Sequence, residues 1–162
     1  MTTAEKLVKA LASKGMTCAT AESCTGGGVG RAITDVAGAS AVFRGGVISY
    51  DNAVKQDVLG VPEAVLSAKG AVSGECAAAM AEGARRLMKA DFAVSVTGIA
   101  GPGGGSAEKP VGLVWFGLAG AKGTVAENRI FPGDRDAVRT AAAEHALGLL
   151  LTVASEDVRR ET

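Results

Sequence analysis

The chain has 162 residues with 17 basic and 17 acidic side chains, so its formal net charge is zero. This length predicts one domain over residues 1–162, with a polar tail from about residue 155. The balanced charge provides no electrostatic footprint for nucleic acid or an anionic membrane. Apolar runs fall short of the roughly 20 residues of a membrane span, and the three cysteines lack metal-binding spacing. With no signal-peptide pattern, we expect a cytoplasmic protein.

Hydrophobic spacing predicts that the chain begins with a helix and continues into a strand. Apolar residues recur at helical intervals from Leu7 to Leu11, and Gly15 follows as a C-terminal stop. Residues 16–21 are typical of a short strand. Three consecutive glycines then separate this strand from a second helix, which is expected to end near Gly38.

The middle of the chain alternates between strand and helix signals. Residues 42–50 are strand-like with a glycine interruption, and Asn52 suits the N-cap of the helix that follows. Pro62 is expected to open another short helix. Ser73 is expected to cap a long helix over residues 74–90.

The last part of the chain contains the clearest buried strand, residues 92–98. Residues 113–120 and 124–131 flank a short glycine-containing turn and predict an antiparallel hairpin. A final helix is expected from near Asp134 to about Ala154. Strands that alternate with helices and end in one hairpin predict an α/β fold, a three-layer α/β/α sandwich with a mixed, mostly parallel sheet.

Two glycine-rich loops each follow a predicted strand, at residues 22–28 and 98–105. Ligands bind at the carboxyl ends of strands in open α/β sheets, so we expect both loops to meet in one crevice. Glycine lets backbone N–H groups converge on a phosphate or an oxyanion, and free N–H groups at the start of the second helix would add to this. Neither loop matches a Walker A or dinucleotide-binding pattern, so two tight turns are the alternative.

Ser23 lies where the first strand meets its loop, a corner that suits a nucleophile. A serine hydroxyl needs a base, and the only histidine, His145, is expected to occupy one face of the last helix. Lys55 is the candidate base, provided that burial lowers its pKa. Tyr50 nearby would relay or donate a proton. The alternatives are a solvated lysine, a tyrosine at the rim, and Cys24 as the nucleophile.

Arg135 and Arg139 lie four residues apart, which puts them on one helix face. They are candidates for clamping a phosphate or a carboxylate, or for pairing with Asp134 and Asp136 at the surface. Glu22 would orient a cation or a hydroxyl, or cap the adjacent turn. One histidine and scattered carboxylates offer no ligand spacing, so no metal site is expected.

Six stretches of sequence, in this order, match those of a known family: TAESCTGG, FRGGVISYDNAVK, LGV, GAVS, VTGIAGPGGGSAEKPVG and GDRDAVR. Together they extend from about residue 4 to 151 and resemble the C-terminal domain of the competence-and-damage-inducible CinA family. That domain also occurs alone as a deamidase of nicotinamide mononucleotide. Because the N-terminal domain of fused members is missing here, we expect the stand-alone form.

The resemblance implies hydrolysis of nicotinamide mononucleotide to nicotinic acid mononucleotide and ammonia, in pyridine nucleotide recycling. It implies Ser23 as the nucleophile, assisted by Lys55 and Tyr50. Further residues would hold the substrate: Thr25, Gly26, Gly27, Ser40, Thr97, Gly98, Arg135 and Arg139, with Glu22 near the cationic pyridinium. No metal or cofactor is expected, and a homodimer is usual. A nucleotide-binding regulatory module without turnover is the alternative function.

Overall fold

The computed structural model describes residues 1–156, so most of the predicted polar tail lies outside the described residues. The strands are β1 Cys18–Glu22, β2 Phe43–Ile48, β3 Phe92–Gly98, β4 Leu113–Gly120 and β5 Gly123–Ile130. The helices are α1 Thr3–Lys14, α2 Gly28–Thr34, α3 Asn52–Asp57, α4 Glu63–Lys69, α5 Gly74–Met88 and α6 Arg135–Glu156. A single 3-10 turn covers Ala39–Ala41 within the described range.

The five strands form one mixed sheet in the spatial order β2-β1-β3-β4-β5. Strand β1 pairs in parallel with β2 and β3, whereas the β3–β4 and β4–β5 pairs are antiparallel. Four strands therefore run in one direction and β4 opposes them. Helices α1, α2 and α6 pack on one face of the sheet, and α5 with α4 covers the other. The predicted α/β sandwich with a mixed sheet is confirmed.

Helix α1 has the buried apolar face and the two end residues that its sequence predicts. Its apolar stripe, Leu7, Val8 and Leu11, is buried against α6. The Thr2 side chain accepts a hydrogen bond from the Glu5 N–H at the start of the helix. At the other end Gly15 has φ 62°, a left-handed conformation that glycine adopts without steric cost. The helix and its stop are as predicted.

Helix α5 has a side-chain N-cap and packs closely against the sheet. The Ser73 Oγ accepts from the Cys76 N–H at 3.2 Å, which confirms the predicted cap. A Cβ on Gly117 of β4 would lie 2.2 Å from the Ala77 carbonyl oxygen, so only glycine allows this approach. The Ser95 hydroxyl donates to that same carbonyl at 2.5 Å, which satisfies it inside the core.

Two sequence predictions about helix ends were wrong. Asp51, not Asn52, caps α3, because its Oδ1 accepts from the Ala53 N–H at 2.8 Å and its backbone is extended. Asp and Asn are both good N-caps, so residue type alone could not show which of the two caps the helix. The second helix ends at Thr34 rather than near Gly38, and a 3-10 turn follows.

The carboxyl ends of β1, β2 and β3 lie at one edge of the sheet. There the Ser23 N–H donates to the Val96 carbonyl at 2.9 Å, and the Ser49 N–H donates to the Glu22 carbonyl at 2.7 Å. Both glycine-rich loops begin at this edge. In the described part of the chain, no helix combines the length and hydropathy that crossing a membrane requires.

Candidate active site

Two side chains from neighbouring strand ends meet at this edge. The Lys55 Nζ donates to the Ser23 Oγ at 3.1 Å. Ser23 directly follows β1, and Lys55 lies in α3, the short helix after β2. Ser23 is 8% exposed and Lys55 1% exposed. The residues that the sequence suggests as nucleophile and base are therefore in hydrogen-bond contact away from bulk water.

Two backbone carbonyl groups fix the Lys55 amine. Its Nζ donates to the Ser49 carbonyl at 2.6 Å and to the Tyr50 carbonyl at 3.2 Å. A neutral amine has two N–H bonds and one lone pair. With both N–H bonds directed at these carbonyls, the lone pair is left to face the Ser23 hydroxyl. The geometry therefore suits an amine that accepts a proton from serine.

The environment of Lys55 also favours the neutral amine. Burial lowers the pKa of Lys55, since the charged form loses its hydration. The acidic groups of Cys76, Asp51 and Cys24 lie near enough to oppose this effect. The net direction is downward, so a larger fraction of Lys55 is neutral than in an exposed lysine. Such a shift is what a lysine general base needs.

Glu22 supplies the anion that the start of α2 requires. Its buried carboxylate accepts from the Thr25 hydroxyl at 2.7 Å, the Val29 N–H at 2.8 Å and the Gly30 N–H at 3.0 Å. A negative charge at a helix N-terminus is stabilising. The expectation that the free N–H groups of this helix face a ligand is therefore wrong for Val29 and Gly30. Of the roles considered for Glu22, the structure shows turn capping and hydroxyl orientation.

Glu22 also connects the nucleophile to the base through its backbone. Its carbonyl oxygen accepts from the Ser49 N–H at 2.7 Å and from the Ser49 hydroxyl at 3.3 Å. The Ser49 carbonyl in turn accepts from the Lys55 amine. Glu22, which precedes Ser23, thus holds Ser49 in place, and the Ser49 carbonyl in turn binds the Lys55 amine.

The turn after Ser23 depends on its glycines. The Gly26 N–H donates to the Ser23 carbonyl at 3.1 Å, and the Gly28 N–H donates to the Thr25 carbonyl at 3.0 Å. Gly26 and Gly27 have φ 59° and 101°, values that side-chain-bearing residues rarely adopt. The chain therefore reverses sharply and enters α2 within a few residues of the nucleophile.

This turn leaves backbone donors free beside Ser23. Within residues 1–156, the N–H groups of Thr25 and Gly27 have no acceptor, and the N–H of Cys24 has only its own thiol sulfur. The N–H of the residue after a nucleophile is a common part of an oxyanion hole. These donors suit an oxyanion that forms on a substrate attacked by Ser23.

Arg135 ties the second glycine-rich loop to Tyr50. Its Nη1 donates to the Gly101 carbonyl at 2.8 Å, and its Nη2 donates to the Tyr50 hydroxyl at 3.2 Å. The Tyr50 side chain is 61% exposed. Within the described residues, Lys55 contacts the Tyr50 carbonyl rather than its hydroxyl. Tyr50 is therefore close to the base, but its phenol faces the second loop.

Arg139 reaches the first glycine-rich loop instead. Its Nε donates to the Cys24 carbonyl at 3.0 Å, and its Nη2 lies 3.2 Å from where a Cβ on Gly26 would be. The surface pairing with Asp134 and Asp136 is not formed, since neither arginine has a carboxylate ion pair among residues 1–156. The start of α6 thus contacts both glycine-rich loops, and a crevice formed by the two loops together stays a prediction.

Thr97 and Gly98 end β3 at the same edge of the sheet. The Thr97 hydroxyl donates to the Ala71 carbonyl at 2.9 Å, which holds the connection between α4 and α5. A Cβ on Gly98 would lie 2.7 Å from the Leu113 carbonyl oxygen, so its glycine lets β4 approach. Both residues lie at the strand end next to Ser23, and their contact with substrate stays a prediction.

Ser40 is not brought to this group. It is exposed on the 3-10 turn that precedes β2. Phe43, at the start of β2, pairs with Cys18, five residues before Ser23. At about 3.3 Å per residue, this separation is roughly 16 Å along the sheet. Ser40 lies at the opposite end of the strands, and its role in substrate binding stays a prediction.

The two alternative reactive groups are placed unfavourably. Burial raises the pKa of the Cys24 thiol to about 11, so this thiol is protonated at neutral pH. The His145 ring packs with its centroid 4.5 Å from that of Phe116, and its Nε2 lies 3.4 Å from Glu127 Oε1. His145 therefore lies against β4 and β5, as a helix-face residue. In the range 1–156, no three His, Cys, Asp or Glu side chains are grouped to hold a metal ion.

Sequence reasoning missed the carbonyl groups that hold Lys55. Backbone acceptors carry no residue signature, yet one signal was present. Phe43 and Val47 are an even number of residues apart, and the period of two in a strand places Ser49 on the same inward face, where it is buried. An inward polar residue at the end of β2 therefore pointed to Ser49 as a candidate site residue.

Comparison with known proteins assigns the family. The model of the CinA C-terminal domain matches residues 1–154. The chain belongs to the CinA C-terminal domain family. This CinA domain is 50% identical over 151 residues to the nicotinamide-nucleotide amidohydrolase PncC of Escherichia coli K12, covering 93% of the chain and 92% of that protein.

Longer proteins and solved structures also match the CinA domain. It is 56% identical over 144 residues to a CinA-like protein of Anaeromyxobacter dehalogenans, of which it covers 35%. The CinA domain thus spans about a third of that relative. The crystal structure of the competence/damage inducible protein CihA from Agrobacterium tumefaciens superposes with a TM-score of 0.87 at 42% identity. That match covers 94% of this chain and 96% of the other.

Proposed function

We propose that this CinA domain hydrolyses the amide of nicotinamide mononucleotide, giving nicotinic acid mononucleotide and ammonia. The observation that carries the proposal is the buried contact of 3.1 Å between the Lys55 amine and the Ser23 hydroxyl. The likeness to a protein named nicotinamide-nucleotide amidohydrolase supports the choice of substrate. A serine paired with a lysine is an established arrangement for acyl transfer.

In the first half of the proposed reaction, neutral Lys55 takes the proton of the Ser23 hydroxyl. The Ser23 oxygen attacks the amide carbon, and the carbonyl oxygen becomes an oxyanion. The N–H groups of Cys24, Thr25 and Gly27 are the donors available to stabilise it. A well-placed donor of this kind lowers the activation barrier by roughly 3–4 kcal/mol.

In the second half, the Lys55 ammonium gives its proton to the nitrogen of the tetrahedral intermediate, the C–N bond breaks, and ammonia leaves behind an ester on Ser23. Water then attacks this ester, and Lys55 accepts a proton from it. Collapse of the second tetrahedral intermediate breaks the bond to the Ser23 oxygen, which takes the proton from Lys55, and releases nicotinic acid mononucleotide. The sum is one water consumed and one ammonia released for each amide cleaved.

Other residues act in this proposal by holding the pair in place. Tyr50 supports Lys55 through its carbonyl, and its phenol connects to Arg135. Glu22 holds the turn through its carboxylate rather than by touching the pyridinium ring. Gly26 and Gly27 let the turn approach the substrate closely, as do Thr97 and Gly98 at the neighbouring strand end.

The test is ammonia release from nicotinamide mononucleotide by the purified protein, with products identified by mass spectrometry. The wild type is expected to release ammonia, and Ser23→Ala is expected to abolish release. Stable binding of the intact mononucleotide without product would favour a regulatory module and overturn the proposal. Ammonia release that is unchanged in Ser23→Ala would overturn the mechanism alone.

The setting of this activity is proposed with it. We propose a role in pyridine nucleotide recycling in the cytoplasm, where the free thiols of Cys18, Cys24 and Cys76 would stay reduced. The homodimer implied by the family resemblance also stays a prediction. Light scattering on the purified protein gives the assembly mass directly.

A further inference from the structure

We propose, resting on the function above, that Lys109 is a positioning residue for the reaction. Its amine anchors the second glycine-rich loop to the end of α4, and this contact holds the loop beside the strand end next to Ser23. Within residues 1–156 the Lys109 amine forms no hydrogen bond with Ser23 or Lys55. Lys109 therefore acts through the loop and not on the reacting atoms.

The Lys109 amine binds the last residue of α4. Its Nζ donates to the Lys69 carbonyl at 2.6 Å, although the two residues are 40 positions apart in the chain. The last carbonyls of a helix lack partners within the helix and carry partial negative charge, so a cation is favourable there. A Cβ on Gly70 would lie 3.1 Å from this Nζ, so the glycine leaves room for the amine.

A second anchor holds the beginning of the same loop. Arg135 Nη1, at the start of α6, donates to the Gly101 carbonyl at 2.8 Å. Helix α6 packs on one face of the sheet and α4 on the opposite face. The contacts of Arg135 and Lys109 therefore hold the loop across the edge of the sheet, with one anchor on each side.

Between these anchors the loop has little packing of its own. Its last part is a turn in which the Ser106 N–H donates to the Lys109 carbonyl at 2.8 Å, and the Lys109 N–H donates to the Ser106 hydroxyl at 3.1 Å. Residues 102–108 are exposed, and a Cβ on Gly103 would meet nothing within 4 Å. A segment with few buried contacts opens easily, so release of one anchor should free this one.

The loop leaves the sheet beside the nucleophile. Strands β1 and β3 pair in parallel, which puts Ser23 level with Thr97, and the loop begins two residues later. The Thr97 hydroxyl donates to the Ala71 carbonyl at 2.9 Å, two residues after Lys69. The carbonyl that Lys109 binds is therefore fixed relative to the end of β3. The anchor sets where the loop lies relative to the nucleophile.

Lys109→Met tests the anchor, because it keeps a long side chain and removes the amine. Lys69→Met is the matched control, since it removes a neighbouring amine but leaves the carbonyl that Lys109 binds. Hydrogen exchange of the Ser106 amide, followed by NMR, reports on the loop without any substrate. Steady-state kinetics with nicotinamide mononucleotide give kcat and KM, and circular dichroism reports the folding of each variant.

We expect the Ser106 amide to exchange at least about 10-fold faster in Lys109→Met than in the wild type. In Lys69→Met its exchange should stay within about 2-fold of the wild type. KM should rise about 3- to 10-fold in Lys109→Met, because the substrate meets a mobile loop. Its kcat should stay within about 2-fold, because the contact between Ser23 and Lys55 is untouched.

Restoring the amine separates the anchor from a general effect of substitution. In Lys109→Cys treated with bromoethylamine, the thiolate attacks the carbon, bromide leaves, and the product carries an amine at nearly the length of lysine. The native thiols are buried, and wild type treated in the same way is the control. The untreated variant should resemble Lys109→Met, and treatment should return Ser106 exchange and KM to within about 2-fold of the wild type.

Unchanged Ser106 exchange or unchanged KM in Lys109→Met would overturn the proposal. Equal effects in Lys69→Met, or no recovery after treatment with bromoethylamine, would also overturn it. Loss of folding in Lys109→Met would do the same, because the amine would then hold the whole fold and not the loop. Absence of ammonia release by the wild type would instead remove the proposed function, while the exchange comparison would still decide whether Lys109 anchors the loop.

Discussion

Lys55 Nζ lies 3.1 Å from Ser23 Oγ, although the two residues are 32 positions apart in the chain. Ser23 is fixed by its N–H bond to Val96, and Lys55 by the carbonyls of Ser49 and Tyr50. These anchors are all backbone groups at the ends of adjacent strands. The pair is therefore held in reactive geometry before any substrate binds, and conformational entropy need not be lost during the reaction.

The pH dependence of the proposed reaction follows from the lowered pKa of Lys55. The neutral amine is the active form, so activity is present above the folded-state pKa and is lost as pH falls through it. Because burial lowers this pKa, the midpoint of kcat/KM should lie below about 10.4, the value for an exposed lysine. Asp51 raises the pKa of Lys55, so Asp51→Asn should move the midpoint of kcat/KM to lower pH.

Asparagine is a good N-cap, so Asp51→Asn keeps the start of α3 intact. Asp57→Asn, in the same helix, is the control and should leave the midpoint in place. Steady-state kinetics across the alkaline range, with each variant checked for folding, measure the shift. An unchanged or raised midpoint in Asp51→Asn would show that Lys55 is not the titrating group.

Glu22→Gln should damage both stability and activity. A glutamine has one oxygen and one NH₂ group, so one of the Val29 and Gly30 N–H groups would face a donor instead of an acceptor. We expect a loss of about 1–3 kcal/mol in the free energy of unfolding. Urea denaturation measures this loss, and ammonia release is expected to fall at least about tenfold because the Ser23 turn loosens.

The control for Glu22→Gln is Glu75→Gln, an exposed carboxylate in the first turn of α5. Its effect on unfolding should stay within about 0.5 kcal/mol. Equal effects of the two substitutions would mean that the buried carboxylate does not support the turn.

Much of the fold was predictable because its signals are local. Ser73 caps α5, Gly15 ends α1, and residues 92–98 form the buried strand, each from properties of neighbouring residues. The two glycine-rich loops were expected at strand ends, and the parallel sheet then brings them to one edge. Lys55 could be proposed as the base because no histidine was suitably placed.

The choice of partners within the site was not predictable, because it depends on packing between distant segments. Glu22 had several possible roles, and only the approach of α2 shows that its carboxylate is engaged. Arg135 and Arg139 have similar sequence surroundings but bind different loops. Ser40, which the family resemblance implies as a substrate ligand, precedes β2 and lies at the other end of that strand from Tyr50 and Lys55.

Tyr50→Phe separates a structural role of the phenol from proton transfer. The hydroxyl contacts exposed Arg135, whereas Lys55 rests on the Tyr50 carbonyl, which the substitution keeps. An exposed hydrogen bond contributes about 1 kcal/mol, so kcat/KM should fall less than about tenfold. A loss of about 100-fold or more in kcat would instead place the hydroxyl in the proton path.

Cys24→Ala should retain activity within about threefold of the wild type, because burial keeps this thiol protonated and unreactive. Iodoacetamide at neutral pH should therefore modify Cys24 slowly in the folded protein, and rapidly after denaturation in urea. Mass spectrometry of the alkylated peptides follows both rates. Loss of ammonia release in Cys24→Ala, with folding preserved, would instead favour the thiol as the nucleophile.

The activation of Ser23 by Lys55 is tested most directly by covalent labelling with phenylmethylsulfonyl fluoride. The serine oxygen attacks the sulfur, fluoride leaves, and the serine proton passes to Lys55. Peptide mass spectrometry at several times measures the labelling rate at Ser23 in the wild type and in Lys55→Met, which retains a long side chain without a basic nitrogen. We predict selective labelling of Ser23 in the wild type and a rate at least about 100-fold lower in Lys55→Met. Equal rates in the two folded proteins would contradict the account.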